Sequence, residues 1–291
     1  MATKNLPLIS IVIPTLNEER NIKICLDSLL GQKHPQSKLE IIVVDNRSTD
    51  KTIEIVKSYR KKYKNVKLIF NDKEKKNAEV SKMLGFQMAR GEYFIYLDAD
   101  IEIIGKDWFT DLLLPFYENS QLAGSFGRFW PKKDDKPLGR YLRYHPLELD
   151  PVFKFFCTEI SETVIMDKKQ YQICKFVPPR IPPVGICLYK KEYLDKVLKG
   201  ESKFMDVDVP VKLAKAGYKY FAYVEKVRFY HKNVIGLSGL VRKKFRNIDK
   251  FYLPNIEKRE FKYFNLKRSS DVLKIVVWVV YANLFVPELI R

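Results

Sequence analysis

Residues 8–45 read LISIVIPTLNEERNIKICLDSLLGQKHPQSKLEIIVVD, and the pattern of this stretch decides the fold. LISIVIP (8–14) and LEIIVVD (39–45) are near-continuous apolar runs. Such runs belong to strands covered on both faces, as in a parallel sheet. Between them, 18–30 carries Ile22, Cys25, Leu26 and Leu29 at helical spacing, which predicts an amphipathic helix. The strand–helix unit then recurs. NVKLIF (65–70) and EYFIYLD (92–98) read as further strands, with helices predicted over 51–63 and 78–90. Repeated units of this kind imply right-handed crossovers, and hence an α/β fold with an open, mostly parallel sheet and helices on both faces. In such sheets ligands gather beyond the carboxyl ends of the strands. The residues at those ends are therefore the candidates for function.

Beyond residue 122 the regularity weakens. The stretch 130–183 is rich in Pro, Tyr, Lys and Arg, which predicts long loops over one end of the sheet. A second ordered block follows, with VGICLY (184–189) as a strand, 191–198 and 210–216 as helices and 218–224 as a strand. Gly217 stands where a helix stop is expected. The tail differs in kind. Over 237–252, Leu237, Leu240, Val241, Ile248 and Phe251 form one helical stripe, with Arg242, Lys243, Arg246 and Lys250 mostly elsewhere. Residues 272–286 are apolar almost all round, interrupted by Lys274 and Asn283. A helix over that run would span ~22 Å, short of the ~30 Å hydrocarbon core of a bilayer. An interfacial helix is the expectation, with 236–291 as a basic, amphipathic, membrane-associating segment.

The formal charge is +18, an excess that favours polyanionic partners: nucleic acid, anionic lipid headgroups or phosphorylated substrates. No helix-turn-helix, RNA-binding sheet signature or zinc finger accompanies it, so nucleic acid is not the expected partner. Cys25, Cys157, Cys174 and Cys187 show no metal or redox spacing and read as reduced thiols. The chain runs into its first strand without a basic-then-apolar leader, which predicts residence in a reducing cytoplasm.

The first strand ends in Pro14-Thr15-Leu16-Asn17-Glu18, where Thr15 and Asn17 either cap the next helix or face a ligand. The second ends in Asp45-Asn46-Arg47-Ser48-Thr49-Asp50. Asp50 or Thr49 suits a helix cap, whereas Asp45 has no obvious structural duty and can accept from a base or a ribose hydroxyl. The fourth ends in Asp98-Ala99-Asp100. This pair is either a solvated turn or a site for a hard cation such as Mg²⁺ or Mn²⁺. With no GxGxxG and no GK[ST] loop, a bound nucleotide must be held by side chains and metal.

Three of these segments, IVIPTLNEE (11–19), IIVVDNRSTDKT (41–52) and GEYFIYLDAD (91–100), in this order and spacing, resemble the family 2 glycosyltransferases with the GT-A, Rossmann-like fold. MDVDVPVKLAKAGYKY (205–220), preceded by VGICLYKKEYL (184–194), resembles the family's acidic segment and the strand and helix before it. The resemblance covers about 8–235. It implies a catalytic domain over 1–235, with a donor half to about 120 and an acceptor half beyond. It implies that Pro14, Thr15, Asn17, Glu18, Asp45, Lys82 and Asp98 surround the donor nucleotide. Asp100, with Asp98 and His231 of FYHKN (229–233), would hold the metal. Asp206 would take the acceptor proton, with Asp208 beside it as a second catalytic carboxylate. Three departures bear on donor and acceptor identity. Met205 stands before Asp206 where relatives open with Glu-Asp, Lys212 replaces an Arg, and Lys82-Met83 replaces Arg-Asn.

The resemblance thus predicts an inverting transferase that moves a sugar from a nucleotide-diphosphate donor, UDP-linked by preference, using a divalent metal. The expected acceptor is a hydroxyl of a glycan or lipid-linked glycan at the cytoplasmic face of a membrane, where the basic, apolar tail meets anionic lipid as a peripheral or C-terminal anchor. A polyprenyl phosphate acceptor is the alternative. A nucleotidyltransferase would need a Gly-rich, basic segment after the first strand, and PTLNEERN (14–21) is not one. A basic nucleic-acid-binding protein is the non-enzymatic alternative.

Overall fold

A computed structural model describes residues 6–72, 77–135, 158–232, 242, 245, 259–262 and 268–290. Cys157 and nearly all of the expected stripe at 237–252 lie outside the described residues.

The first βα units fall where the apolar runs put them. Strand β1 is Ile9–Thr15, helix α1 Ile22–Leu30, β2 Leu39–Asp45, α2 Thr52–Lys62, β3 Val66–Phe70, α3 Ala78–Met88 and β4 Tyr93–Tyr96. Helix α1 starts four residues later than expected, because the amides of Asn21 and Ile22 both close onto the Glu18 carbonyl and make 18–21 a turn. There follow β5 (Ile101–Ile104), α4 (Trp108–Glu118) and β6 (Leu122–Phe129), to which the sequence reading assigned no element. Part of the expected loop region is a hairpin, β7 (Val164–Asp167) with β8 (Gln172–Lys175). Then come β9 (Cys187–Lys190), the helices Lys191–Val197 and Val209–Lys215, and β10 (Tyr220–His231).

Among the described residues these strands form one sheet in the order β3-β2-β1-β4-β9-β6-β10-β8-β7, with β5 paired to β10. Contacts are parallel from β3 to β4, and β9 enters antiparallel between β4 and β6. Because β6 and β10 are parallel to each other and reversed relative to β9, their carboxyl ends return to the edge where β1, β2 and β4 end. Strand β10 is 12 residues long, so its start pairs with β8 and its last four residues, 228–231, pair with β5.

Both faces are covered, as the uninterrupted apolar strands require. Ile9, Ile11 and Ile13 pack with Ile22, Cys25, Leu26 and Leu29 of α1, Val56 of α2, and Phe109 and Leu112 of α4. On the other face Val12, Ile42 and Val44 meet Met83 and Phe86 of α3, Leu194, and Leu213 of the helix Val209–Lys215. Helix α3 lies so close that a Cβ at Gly85 would come within 2.4 Å of a Val12 methyl. Gly217 ends Val209–Lys215 at φ 96, with its amide on Ala214 O and that of Tyr218 on Leu213 O. This is the paired closure that a glycine stop permits. Cys25, Cys174 and Cys187 are buried free thiols.

The helix Ser269–Ile290 is 22 residues long and outruns the apolar run. Val272, Leu273, Val276, Val277, Val279 and Val280 on it are exposed. Among the described residues no helix is long and apolar enough to cross a membrane.

Candidate active site at the carboxyl ends of the strands

The turns after β1 and β2 interlock. Asn17 and Arg47 both adopt left-handed backbone, at φ 55 and 64. The Asn17 amide donates to Ser48 Oγ at 2.9 Å, and the Thr49 amide donates to Asn17 Oδ1 at 2.8 Å. Asn17 therefore holds the neighbouring turn and does not cap α1. Asp50 accepts the Thr52 amide at 3.0 Å, but the N-cap position of α2 is Lys51, without a side-chain capping bond. Pro14 lies in β1 in register with Val44.

Asp45 is fully buried, and the expectation that it lacks a structural duty is corrected. Its carboxylate accepts from Thr15 Oγ1 at 3.0 Å, from the Ser48 amide at 2.7 Å and from Ser48 Oγ at 2.6 Å. A carboxylate at a strand end with three donors fixes the shape of the loop around it. Next to it Asn46 accepts from Asn71 and Ser81, each at 2.9 Å, and donates to the Thr15 carbonyl, which ties β1, β2 and α3 together beneath the turns.

The acidic turn after β4 forms the second part. One ligand atom from each of Asp98, Asp100 and His231 falls within 4.8 Å of the others. His231 Nε2 lies 3.1 Å from Asp100 Oδ1, and its ring stacks on Phe129. The pairing of β10 with β5 sets His231 opposite Ile101 and so delivers the imidazole to the acidic turn. Two carboxylate oxygens and one imidazole nitrogen make a donor set that suits Mn²⁺ or Mg²⁺, with room for water and phosphate oxygens to complete it. Burial raises the pKa of Glu18, whose hydrogen bond from Asn21 opposes the rise while the negative charges of Asp100 and Asp98 add to it. Glu18 thus stands in the field of the same centre. Beside it a cavity of about 170 Å³ is lined by Asp100, Lys132, Tyr230 and Lys232, among others.

Asp206 forms the third part. Its Oδ2 accepts from Tyr96 OH at 3.1 Å and from Lys82 Nζ at 3.4 Å, and its Oδ1 from the Val207 amide at 3.1 Å. Burial works to raise its pKa, but the Lys82 ammonium and these hydrogen bonds prevail and hold it below the usual carboxylate value. Lys82 lies over the Tyr96 ring at 4.1 Å and also stands 4.0 Å from Asp98, so one ammonium joins the base candidate to the metal candidate. Burial disfavours its charge, yet Asp206 and Asp98 raise its pKa. It is a cation held between two anions.

Asp208 does not join Asp206. Its carboxylate is buried and accepts from Arg259 Nε and from the Phe261 amide, each at 3.1 Å. Burial raises its pKa against the opposing charge of Arg259. The geometry gives Asp208 a structural task beside the catalytic one expected of it: its contacts tie Arg259 and Phe261 to the start of the helix Val209–Lys215.

Of the residues singled out in the sequence, Pro14, Thr15 and Asp45 end β1 and β2, Asn17 and Glu18 lie in the turn after β1, and Asp98, Asp100 and His231 share a centre. Lys82 links that centre to Asp206. Sequence reasoning missed Tyr96, which sits in an apolar strand and reads as core, and Ser48, hidden among turn residues. A larger cavity of about 540 Å³ lies at the amino ends of the strands, lined by Arg90, Glu92, Lys190, Glu192 and Asp195 among others, away from all of these groups.

Residues 10–198, well over half of the chain, match the profile of the family described as Glycosyl transferase family 2. The chain is similar to the poly(ribitol-phosphate) beta-glucosyltransferase of Bacillus spizizenii, at 39% identity over 43% of this chain and 20% of that protein. It is similar also to glycosyltransferase AglE of Haloferax volcanii, at 36% identity over 34% of this chain and 32% of that one. The chain thus spans about a fifth to a third of the length of these curated relatives. In architecture it resembles the mannosyltransferase PcManGT of Pyrobaculum calidifontis, solved with GDP-Man and Mn²⁺. There the TM-score is 0.58 at 18% identity, covering 88% of this chain and 66% of that one. Residues 1–349 of S. aureus TarS, solved with UDP-GlcNAc, give a TM-score of 0.57 at 18% identity, over 88% and 68%. These likenesses establish the GT-A arrangement of sheet and helices. With the profile match over most of the sheet, the chain belongs to glycosyl transferase family 2.

Proposed function

We propose that this chain is an inverting glycosyltransferase. It moves a sugar from a nucleotide-diphosphate donor, UDP-linked by preference, to a hydroxyl of a glycan or lipid-linked glycan at the cytoplasmic face of a membrane. The observation that carries the reading is the convergence of Asp206 and the Asp98–Asp100–His231 centre on one sheet edge, joined through Lys82. In this reading Thr15, Asn17, Glu18 and Asp45 form the walls of the nucleoside pocket, with Asp45 holding the loop rather than touching solvent. A divalent cation at the centre would neutralise charge developing on the leaving diphosphate. The chain's own task is the proton. Asp206, kept ionised by Lys82 and Tyr96, accepts it from the acceptor hydroxyl as that oxygen acidifies in the transition state. The donor half, to about 120, supplies the turns and the acidic pair; the acceptor half, to about 235, supplies Asp206 and His231.

The tail supports the membrane part of the reading. Its exposed valines and leucine, with basic Lys274 among them, suit an anionic lipid surface better than open water.

Thermal shift against a panel of nucleotide sugars, with and without Mn²⁺, tests the donor: stabilisation by one donor only when metal is present is expected. Turnover of Asp206→Asn tests the acceptor. A hydroxyl nucleophile needs the base, so near-complete loss supports the proposal. A phosphate acceptor is already ionised, so retained turnover would replace it with the polyprenyl phosphate reading.

A further inference from the structure

Lys82 carries a role that neither donor binding nor base chemistry describes. This inference rests on the metal centre proposed above. The side chain is 5% exposed and lies in a slot between α3 and β4, over the Tyr96 ring. Its ammonium has two carboxylates in range, Asp206 at 3.4 Å and Asp98 at 4.0 Å. Asp206 is further fixed by Tyr96 and the Val207 amide, so it cannot follow the ammonium far. Asp98 is 42% exposed and belongs to the cation's donor set. A divalent cation on Asp98 and the Lys82 ammonium are therefore like charges competing for one carboxylate, in a site partly shielded from water. Repulsion at such range is strong. Asp206 is the other carboxylate within ion-pair range of the lysine among the described residues.

We propose that Lys82 is a charge relay between the metal centre and Asp206: cation binding at Asp98 drives the ammonium onto Asp206, and the ammonium in turn limits how tightly the cation binds by itself. Two consequences follow. The centre takes up Mn²⁺ weakly alone and more tightly with an anionic diphosphate, whose negative charge offsets the ammonium. And Asp206 responds to whether the centre is loaded, because the two sites share one counter-charge. The coupling is reciprocal by thermodynamic necessity.

The test is Mn²⁺ binding to the full chain without nucleotide, read by the free Mn²⁺ resonance in electron paramagnetic resonance, as a double-mutant cycle. Lys82→Met keeps the volume and removes the charge, and is expected to tighten Mn²⁺ binding roughly tenfold. Asp206→Asn returns the ammonium to Asp98 and is expected to weaken binding by roughly threefold or more. In the double variant the Asp206→Asn effect should vanish, since no ammonium remains to relay it; fully additive effects overturn the relay. Should Lys82→Met fail to fold, Lys82→Gln takes its place in the cycle, and unchanged binding in Asp206→Asn sinks the proposal. Asp100→Asn separates the two levels of the argument. Mn²⁺ binding that survives it overturns the metal centre itself. Binding lost in Asp100→Asn but indifferent to Lys82→Met overturns only the relay.

Discussion

Both ends of the parallel strands gather acid, and they treat most of it in different ways. At the amino end Glu40 of β2 is 3% exposed. Its carboxylate accepts from Ser10 Oγ at 2.5 Å, Lys67 Nζ at 2.6 Å, and the Arg90 amide and Nε, each at 2.9 Å. Burial alone would raise its pKa, but these donors pull it down to about 2. At the carboxyl end Asp98 and Asp206 share one lysine, Asp100 leans on His231, and Glu18 has its pKa pushed up by burial and then by the charges of Asp100 and Asp98. The amino end saturates its acid with donors; at the carboxyl end Asp45 is saturated as well, but Asp98 and Asp206 divide a single ammonium between them. A saturated carboxylate belongs to stability, whereas an under-compensated cluster is where a cation or a proton can be received. The contrast separates structural from functional acid without reference to any relative.

The sharpest way to break the contrast is Asp206→Asn. General-base assistance contributes on the order of 10²–10⁴ in rate. Turnover should fall by at least about 100-fold while the melting temperature moves by only a few degrees, because Asp206 is partly exposed and the Asp45 and Asn46 networks that tie the strand ends together do not involve it. Initial-rate assays beside a thermal melt check both halves. A large loss of stability with proportionate loss of activity would make Asp206 another Glu40.

Asp100→Asn comes next. It should abolish stabilisation by Mn²⁺ plus nucleotide sugar and leave the melting temperature in chelator unchanged or higher, since it removes charge from a crowded acidic set. Differential scanning fluorimetry with and without Mn²⁺ reads both. A fall in stability in chelator would show that the acidic end is saturated after all.

Glu40→Gln probes the other end. A group whose folded pKa is about 2, below its ordinary 4.5, contributes stability that is complete above pH 4.5 and is lost as pH falls towards 2. Lys67 and Arg90 are partly exposed, so solvent screens part of that contribution. The substitution should cost on the order of 2 kcal/mol at neutral pH and flatten the acid limb of the stability curve, with kcat of the folded enzyme preserved. Urea melts between pH 2 and 7 measure it.

How much of this was legible in the sequence follows from what each feature depends on. The βα units were readable because strands covered on both faces must be apolar throughout, as Ile9, Ile11 and Val12 are. Helix α1 was placed four residues early because the spacing of Ile22, Cys25, Leu26 and Leu29 fixes a helical face but not its first residue, and nothing local shows that Asn17 takes φ 55 to reach Ser48. Asp98, Asp100 and His231 were named, but their convergence needs β10 to pair with β5 across a long stretch of chain. Tyr96 stayed hidden because its partner Asp206 is distant in sequence, and Ser48 because one of its partners, Asn17, is distant while the local one, Asp45, looks like any turn neighbour. The ion pair of Asp208 was not legible either: its neighbour along the chain is Asp206, but its partner in space is Arg259. The Glu40 cluster gave no signal at all, since a lone glutamate in a strand suggests an edge until Ser10, Lys67 and Arg90 surround it.

The smallest effect tests whether saturation at the amino end is shared among its donors or rests on one of them. Ser10 Oγ donates to Glu40 Oε2 and also accepts the Gly91 amide at 2.8 Å, at a point where β1 and the start of β4 are so close that a Cβ on Gly91 would meet the Ser10 backbone at 2.6 Å. Ser10→Ala leaves Glu40 with Lys67 and Arg90, and leaves the buried Gly91 amide without its acceptor. A loss of about 1 kcal/mol is expected, typical of one hydrogen bond. With one donor gone the Glu40 pKa should climb part of the way back towards 4.5, so the acid limb of the stability curve should move to higher pH. If donors act together, Ser10→Ala in a Glu40→Gln background should cost clearly less than it does alone. If the two losses simply add, Ser10 serves Gly91 and not Glu40, and saturation there would come from the two cationic side chains and the Arg90 amide.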